Sequence, residues 1–323
     1  MERKNKLKEI YKTIDNGNAQ SKLNNLPDFP KIIELEITNH CNFSCLMCKT
    51  GVGTSTRQRG YMSDEIFEKV IEQTKNHSIA LKFVGQGEPL LHPSACEYIK
   101  RAKEHDIIVH LTTNGSLLRE SMMKQLVDCG LDSIKFSFQG VDAGGYKQLR
   151  QRDSYEELMS KIEQLYKIRG EKENPYITIG TSVTNESDEL VEKFKDRCKN
   201  ISDKVEVGIT TLEFIDLDKI KSEVVRNELA DIQKKQNLRK KRYVCCPQVF
   251  DTIAVRWNGD ITACCADLDG VMTLGNIKNS SILECWNSTL ENKYREILAK
   301  CEYDKLELCK DCYDVYGWTY GKN

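Results

Sequence analysis

The chain has 323 residues, of which 39% are hydrophobic and 30% charged, and its formal net charge at pH 7 is -1. This composition suits a globular protein with a sizeable core, and the near-neutral charge gives no electrostatic reason to expect a nucleic-acid or membrane partner. The sequence has no apolar run of membrane-helix length and no secretory signal pattern, so we expect a cytoplasmic protein. The unusual figure is 14 cysteines. In a reducing compartment, clustered thiols indicate metal ligation or catalysis more often than disulfides.

Strand-like and helix-like segments alternate from Lys31 onward, after a polar lead-in over residues 1–30 that includes a short helix. The alternation predicts βαβ units and a parallel sheet, and six such units form an incomplete version of the eight-stranded α/β barrel. We therefore predict an α/β fold with a partial (β/α)6 barrel over residues 31–212. The predicted strands are Ile32–Ile37, Ile79–Val84, Ile107–Thr112, Ser133–Phe138, Tyr176–Val183 and Val205–Thr210, and the helices between them include Met62–Asn76, Ser94–His105, Leu117–Cys129 and Ser154–Lys167.

The alternation stops at residues 213–242, which are charged and helix-prone and end in the basic run Arg239–Arg242. We interpret this segment as a linker helix with a solvated face rather than as a phosphate-binding patch. Residues 243–323 are predicted to form a second, smaller domain. In it, strands Phe250–Trp257 and Asp260–Cys264 flank the hairpin dipeptide Asn258-Gly259, and a helix covers Ser281–Leu298.

Three cysteines, Cys41, Cys45 and Cys48, form a C-x3-C-x2-C run directly after the first predicted strand. Three thiolates at this spacing can hold three irons of a cubane cluster and leave the fourth iron without a protein ligand. A zinc site with His40 as the fourth ligand is the less favoured alternative, because adjacent residues chelate one ion poorly.

Polar or glycine-bearing tracts follow the next predicted strands in turn. In a parallel barrel the carboxyl ends of the strands meet on one rim, where catalytic groups gather. We therefore expect these tracts and the cysteine run to converge on a single site. Counting the cysteine run as the first tract, the others are Gly85–Pro89 (the second tract), Thr112–Gly115 (the third), Ser137–Gly140 (the fourth) and Thr181–Asn185 (the fifth).

Together these motifs resemble those of the radical S-adenosylmethionine (SAM) enzymes, over nearly everything from Lys31 to the end. In that family three cysteines hold a [4Fe-4S] cluster whose open iron is chelated by SAM, which implies that role for Cys41, Cys45 and Cys48. The second tract corresponds to the family's Gly-Gly-Glu-Pro motif at the methionine ammonium, with Gln86 in place of a glycine. The cofactor-binding residues implied are Gly85, Gln86, Gly87, Glu88, Pro89, Asn114, Ser137, Gln139 and Arg150.

Within that set, the resemblance implies more specific roles. Ser137 and Gln139 correspond to ribose-binding positions, and Arg150 to the partner of the methionine carboxylate, with Arg152 as a competitor for that role. Met47 departs from the family, in which an aromatic residue commonly precedes the third cysteine near the adenine. Its polarizable sulfur can pack there, so the departure weakens the expected adenine contact and not the resemblance to the family.

The C-terminal cysteines resemble the SPASM domain of that family, or its shortened form, twitch. The matching pieces are Cys246-Pro247, Gly259 through Cys264, Leu274–Ile277, Ile282–Trp286 and Arg295. Four well-placed cysteines remain for one auxiliary [4Fe-4S] cluster, as in the 2-deoxy-scyllo-inosamine dehydrogenases, with two clusters or zinc as alternatives. These implied ligands are Cys246, Cys264, Cys309 and Cys312.

The remaining cysteines are expected to be small side chains packed in the protein interior rather than metal ligands. Cys245 and Cys265 adjoin implied ligands, so either can substitute as a ligand or serve as a hydrogen donor, although packing is favoured. Packing is also expected for Cys96, Cys129 and Cys198, whereas Cys285 and Cys301 are undecided, with packing favoured. His92 is expected to be structural.

The resemblance implies a 5′-deoxyadenosyl radical that abstracts hydrogen from unactivated carbon. Because a fully ligated auxiliary cluster is suited to electron transfer, we predict oxidation of a secondary alcohol in a sugar, cyclitol or related small molecule. An external electron donor such as flavodoxin or ferredoxin is implied. The alternatives are maturation of a ribosomal peptide, epimerase or eliminase chemistry, and a non-enzymatic protein stapled by zinc at Cys45-x2-Cys48 and Cys309-x2-Cys312. No residue type identifies a general base.

Overall fold

One nine-stranded β-sheet organises the protein. The computed structural model describes residues 3–14, 19–237, 246, 248–310 and 312. The predicted residues Arg239–Arg242, Cys245 and Pro247 lie outside this described part. The strands are β1 (Ile32–Leu35), β2 (Ala80–Phe83), β3 (Ile108–Thr113), β4 (Ser133–Ser137), β5 (Tyr176–Val183), β6 (Lys204–Ile209), β7 (Thr252–Val255), β8 (Asp260–Thr262) and β9 (Thr273–Asn276).

The strand order in the sheet is β6-β5-β4-β3-β2-β1-β7-β8-β9. Strands β1 to β6 are parallel and adjacent in chain order, which confirms the predicted partial (β/α)6 barrel. Each predicted strand agrees with the observed one to within two residues at either end. The match follows from the concentration of β-branched residues in these runs, which favours strands.

The two faces of the barrel strands carry different side chains. In β4, Ile134 and Phe136 are fully buried in the main hydrophobic core. Because successive side chains of a strand point to opposite faces, Lys135 and Ser137 lie on the other, inner face. The same alternation places the core between the sheet and the surrounding helices, and it leaves the inner face of the barrel polar.

Helices connect the barrel strands, and several begin at a side-chain cap. Ser63 accepts a hydrogen bond from the Ile66 N–H at the start of one helix, and Ser187 caps another in the same way. The helices are α1 (Lys6–Lys12), α2 (Ala19–Asn24), α3 (Lys49–Val52), α4 (Asp64–Thr74), α5 (Ala95–Lys103), α6 (Glu120–Asp128), α7 (Ala143–Arg150), α8 (Tyr155–Arg169), α9 (Asp188–Cys198), α10 (Glu223–Asn237), α11 (Gln248–Asp251), α12 (Ile282–Trp286) and α13 (Thr289–Ala299).

The predicted helix Ser281–Leu298 is in fact two helices, α12 and α13. Asn287 leaves the helical conformation, and the Ser288 side chain then accepts a hydrogen bond from the Glu291 N–H as a new N-cap. Serine competes for backbone donors in this way, which favours helix starts over helix interiors. The prediction of one continuous helix was wrong because the cap was overlooked.

The C-terminal region is joined directly to the barrel sheet. Strand β7 pairs in parallel with β1, and β8 and β9 then continue the sheet in antiparallel fashion. The turn between β7 and β8 contains Gly259 at φ +92, a conformation that favours glycine. Strand β8 runs back antiparallel to β1 and β7, and the loop that follows it carries Cys264 and then returns to the cysteine segment, where Asp269 pairs with Lys49.

None of the helices in the described ranges has both the length and the apolarity needed to cross a bilayer.

Candidate functional site

A cavity of about 280 Å³ lies at the carboxyl ends of β1 to β4. The structure brings together there the three cysteines of the first run and eight of the nine predicted cofactor-binding residues. The ninth, Pro89, begins the short 3-10 helix Pro89–Leu91 that follows Glu88. The lining residues are Cys41, Phe43, Cys45, Met47, Cys48, Val84, Gly85, Gln86, Gly87, Glu88, Thr112, Thr113, Asn114, Ser137, Gln139 and Arg150.

The three cysteines have free thiols, and all three line this cavity. Burial raises the pKa of the Cys41 thiol to about 11, and the nearby Glu88, Cys45 and Cys48 add to the rise. Burial also raises the pKa of Cys45, against the opposing effect of Arg150. Thiols in such a setting ionise when a cation binds among them, so metal binding here releases protons.

The glycines of the second tract are required by close packing. A Cβ on Gly87 would lie 2.3 Å from the Thr38 carbonyl oxygen and 2.6 Å from that of His40. Both neighbours are backbone atoms that cannot move aside. The tract therefore lies directly against the chain that leaves β1, and the Glu88 N–H donates to the His40 carbonyl oxygen at 2.8 Å.

Glu88 connects the second tract to the third. Its buried carboxylate accepts hydrogen bonds from the Thr113 hydroxyl at 2.6 Å and from the Asn114 N–H at 2.7 Å. Burial raises the pKa of Glu88, although these hydrogen bonds lower it. A buried carboxylate in this position is stabilised by a cationic ligand. The Asn114 amide in turn donates to the Asn42 side chain at 3.0 Å, which attaches the third tract to the cysteine loop.

The two candidate arginines occupy different environments. Arg150 lines the cavity, with its Nη1 3.8 Å from the Cys45 Sγ and its Nη2 donating to the Phe138 carbonyl oxygen at 3.2 Å. Its buried Nε has no hydrogen-bond partner within the described part of the chain. Arg152 is exposed, donates to the Asn42 carbonyl oxygen and lies over the Phe43 ring. Of the two arginines, Arg150 is therefore the one that lines the cavity.

Two histidines near the rim have structural partners. The His40 ring stacks on Tyr61 at 4.6 Å and is absent from the cavity lining. His92 is buried, donates from Nε2 to the Met62 carbonyl oxygen at 2.8 Å and accepts at Nδ1 from the Ser94 N–H. The structure thus gives His40 no role as a fourth ligand and agrees with the structural role expected for His92.

The donor set of the cavity fits a cubane cluster together with SAM. Three thiols supply soft ligands, Glu88 supplies a buried carboxylate for an ammonium group, and Arg150 supplies a spare N–H for a carboxylate. The lining also includes Ser137 and Gln139, whose polar groups suit a ribose. Among the described residues, no three His, Cys, Asp or Glu side chains converge closely enough to hold a single metal ion. The cysteines instead surround a space.

The C-terminal cysteines gather around a second, small core. Cys246, Cys309 and Cys312 pack against a cluster that contains Phe250 and Ala263, and Cys264 directly follows Ala263. Burial raises the pKa of Cys309 to about 12, with Cys312 and Asp267 nearby. Cys301, for which the sequence analysis favoured packing, lies against the same core with φ +55.

The other cysteines expected to pack lie in or against the main core. Cys198 and Cys285 are buried, and Cys96 and Cys129 are partly buried against that core. Cys265 differs from them, because it is hydrogen-bonded to Cys264 and lies within electrostatic range of Glu34 and Lys82. Its thiol therefore faces the inner surface of the barrel.

The sequence analysis missed two residues that shape the Cys264 loop. Arg256 donates from Nη2 to the carbonyl oxygens of Cys264, Cys265 and Asp267 at 2.9 to 3.3 Å. The buried Asp267 carboxylate accepts the N–H groups of three residues in the loop, at positions 270, 271 and 272. No local sequence signal identifies these residues, because their partners are main-chain groups brought near by the fold.

The sequence analysis also missed a charged surface on the inner face. Glu34 pairs with Lys82, and Glu206 pairs with Lys135 and Lys204. Burial lowers the pKa of His110, which lies between these pairs, to about 3, so its imidazole is neutral. Although burial opposes it, hydrogen bonds from the lysines lower the pKa of Glu206 to about 2. Polar residues at alternate positions of these buried parallel strands are the sequence signal that could have identified this face.

Comparison with protein families gives two matches. Residues 35–198 match the model described as the radical SAM superfamily, and residues 245–313 match the model described as the SPASM iron–sulfur cluster-binding domain. The first match alone covers half of the chain and contains the whole cavity lining.

Several known proteins are similar to this chain over most of its length. A protein of Pyrococcus furiosus described as a tungsten-containing aldehyde ferredoxin oxidoreductase cofactor-modifying protein is 24% identical over an alignment of 314 positions that covers 87% of this chain and 87% of its own. The crystal structure of BtrN with AdoMet and 2-DOIA has a TM-score of 0.58 at 16% identity and covers 88% of this chain and 93% of its own. SuiB of Streptococcus suis bound to its precursor peptide SuiA has a TM-score of 0.67 at 17% identity and covers 90% and 78%.

Proposed function

Because this chain belongs to the radical SAM superfamily and carries a SPASM domain, we propose that its rim cavity binds a [4Fe-4S] cluster on Cys41, Cys45 and Cys48 together with SAM. When bound, these groups supply a 5′-deoxyadenosyl radical that abstracts hydrogen, and an auxiliary cluster supplies an acceptor for one electron. The observation that carries the proposal is the convergence of three free thiols, Glu88 and Arg150 on one cavity.

The residues around the cavity orient the cofactor in this proposal. The Glu88 carboxylate receives the methionine ammonium, and the Arg150 guanidinium binds the methionine carboxylate. Ser137 and Gln139 contact the ribose, and Asn114 holds the rim tracts in register through its bond to Asn42. The bond from the Gln139 amide to the Ser182 carbonyl oxygen at 2.8 Å supports a fixed orientation for that side chain.

We assign one auxiliary [4Fe-4S] cluster to Cys246, Cys264, Cys309 and Cys312. Three of these residues pack against one small core, and the fourth follows a residue of that core. A cluster with four cysteine ligands has no open iron for substrate, so electron transfer is the role that remains.

The reaction that we propose is oxidation of a secondary alcohol to a ketone in a polar small molecule such as a sugar or cyclitol. With both clusters and SAM bound, the carbinol carbon would lose a hydrogen atom to the deoxyadenosyl radical, the hydroxyl would lose a proton to a base, and one electron would pass to the auxiliary cluster. The charged inner face around Lys82, His110 and Lys135 supports a hydroxylated substrate. Hydroxyl groups can form hydrogen bonds with these polar side chains, whereas an apolar substrate would cover them without replacing their bonds to water. An external donor of the flavodoxin or ferredoxin type supplies the electron that initiates each cycle.

The direct test is anaerobic turnover of the iron-loaded protein with SAM, a reductant and candidate polyols and aminocyclitols. The expected products are 5′-deoxyadenosine and a ketone in equal amounts, with deuterium from the carbinol carbon recovered in the 5′-deoxyadenosine. Cys41→Ala is the control that removes one cluster ligand and abolishes both products. An epimerised or deoxygenated product without net oxidation rejects the dehydrogenase proposal.

Peptide modification is the second candidate, because SuiB bound to its precursor peptide shares this fold over 90% of the chain. It predicts a modified peptide and no ketone when a precursor peptide replaces the polyol. The two candidates therefore give different products in the same assay.

A further inference from the structure

A buried hydrogen-bond network connects the rim cavity to the loop that follows β8. Gln86, which lines the cavity, donates from Nε2 to the carbonyl oxygen of Leu268 in that loop. The Arg57 Nε donates to the same carbonyl oxygen at 2.8 Å. Leu268 is four residues after Cys264, so the contact links the proposed SAM site with a proposed auxiliary ligand.

Glu36 lies at the centre of this network. Its carboxylate is 1% exposed and accepts from Arg57 Nη2 at 2.7 and 2.8 Å and from the Gln86 N–H at 3.1 Å. Arg256, which donates to the Cys264 carbonyl oxygen, has its Nη1 3.7 Å from the same carboxylate. The buried Glu36 carboxylate thus binds Gln86 and Arg57 on the barrel rim and lies near Arg256, which contacts the Cys264 loop.

The segment after Cys48 completes the network. The hydroxyls of Thr50 and Ser55 each donate to Gln86 Oε1 at 3.1 Å. In the same segment, the Thr56 hydroxyl donates to Asp269 at 2.9 Å, and Lys49 forms an ion pair with that residue. The Gln86 amide therefore accepts from the cysteine segment and donates to the Cys264 loop.

Gln86 is also the position where this chain departs from the Gly-Gly-Glu-Pro form. A glycine there would remove all three side-chain hydrogen bonds and leave the buried Thr50 hydroxyl without the Gln86 acceptor, which is costly in a closed environment. A residue that only filled space would not need an amide with both its oxygen and its nitrogen engaged.

We propose that Gln86 is a positioning residue that couples the Cys264 loop to SAM binding. The inference rests on the proposed cofactor sites. An auxiliary cluster that fixes the Cys264 loop holds the Leu268 carbonyl oxygen in place, and Gln86 then fixes the tract from Gly85 to Glu88 for SAM. Because coupling between two sites is reciprocal, bound SAM also stabilises the Cys264 loop.

A double-mutant cycle tests this coupling. SAM dissociation constants are measured by anaerobic equilibrium dialysis for the iron-loaded wild type, Gln86→Gly, Cys309→Ala/Cys312→Ala and the combined variant. Gln86→Gly and the cysteine pair are each expected to weaken SAM binding roughly five- to tenfold, as expected for loss of a buried hydrogen bond. The combined variant is expected to bind no more weakly than the weaker of the two. Gln58→Gly, at an exposed position of the same loop region, is the matched control and should bind like the wild type.

A second readout is hydrogen exchange in residues 266–272. SAM should slow exchange there in the wild type and in Gln58→Gly, and it should not in Gln86→Gly. The coupling is overturned if all variants bind SAM with equal affinity, or if the losses of SAM binding free energy in the two separate variants add in the combined variant. Neither result contradicts the proposed SAM site. If the wild-type protein binds no SAM, both the proposed SAM site and the proposed coupling are wrong.

Discussion

Arg150 and Arg152 have the same side chain and lie two positions apart, but only Arg150 lines the cavity. We therefore expect Arg150→Ala to weaken SAM binding at least tenfold, because a buried charge-assisted pair with the methionine carboxylate is lost. Arg152→Ala is the matched control, since that exposed side chain contacts the Asn42 carbonyl oxygen and the Phe43 ring. Anaerobic equilibrium dialysis with SAM measures both. A larger loss for Arg152→Ala would contradict the assignment.

Glu291 is a second residue whose environment gives a testable prediction. Burial raises its pKa to about 8, although Arg295 opposes the rise. Neither of its carboxylate oxygens has a hydrogen-bond partner within the described residues. The folded state therefore holds the proton to a higher pH than the unfolded state, whose glutamate titrates near 4.5. The contribution of Glu291 to the free energy of unfolding is fully present below about pH 4.5 and is lost as the pH rises from there to about 8.

Substitution of Glu291 by glutamine removes this pH dependence. Between pH 6 and pH 9, the wild type should lose on the order of 2 kcal/mol of stability relative to Glu291→Gln. The melting temperatures of the two proteins, measured anaerobically at both pH values, should diverge by a few degrees in favour of the variant at pH 9. A difference that stays constant with pH would show that Glu291 is ionised throughout.

A shared location in the rim cavity could be predicted for residues that a motif names, whereas contacts with distant partners could not be predicted. Cys41, Glu88 and Arg150 were identified because their types and spacing match a known pattern, and the fold brings all three to one cavity. The partner of Gln86 could not be predicted, because Leu268 is 182 positions away and contributes only a main-chain oxygen. Side-chain type carries no information about such a contact.

The loop after β8 presents two adjacent thiols in different environments. Cys264 follows a residue of the small C-terminal core, whereas Cys265 lies near the Glu34–Lys82 pair of the inner barrel face. We therefore expect Cys264→Ala to lose about four irons per chain and Cys265→Ala to keep them. Iron analysis and the visible absorption of anaerobically purified protein measure this. Loss of iron only in Cys265→Ala would show that Cys265, and not Cys264, is the cluster ligand.

The strands themselves were predicted within two residues, but their order in the sheet was only partly predictable. Alternating strands and helices dictate a parallel sheet with neighbours in chain order, which holds from β1 to β6. The pairing of β7 with β1 depends on which sheet edge remains open after the barrel strands have paired. The hydrophobic pattern of Thr252–Val255 identifies a buried strand and not its partner.

That continuous sheet explains how the two cysteine groups come to act together in the proposed chemistry. The barrel strands place the cysteine run after β1. Strands β7 and β8 extend the same sheet, and the loop after β8 returns to the cysteine segment, where Asp269 pairs with Lys49. The bonds from Gln86 and Arg57 to Leu268 then close the contact between the two loops. The partial barrel was predicted from the sequence. The contact between its rim and the C-terminal loop was not, because it arises only when the complete chain has folded.

The central claim is that Cys41, Cys45 and Cys48 hold a cubane cluster with an open iron at which SAM binds. Electron paramagnetic resonance of reduced Cys309→Ala/Cys312→Ala, which leaves that cluster as the one expected, tests it most directly. The protein should contain about four irons per chain, and SAM should change the signal of the reduced cluster. A signal that is indifferent to SAM, or a colourless protein that contains zinc instead of iron, would contradict the claim.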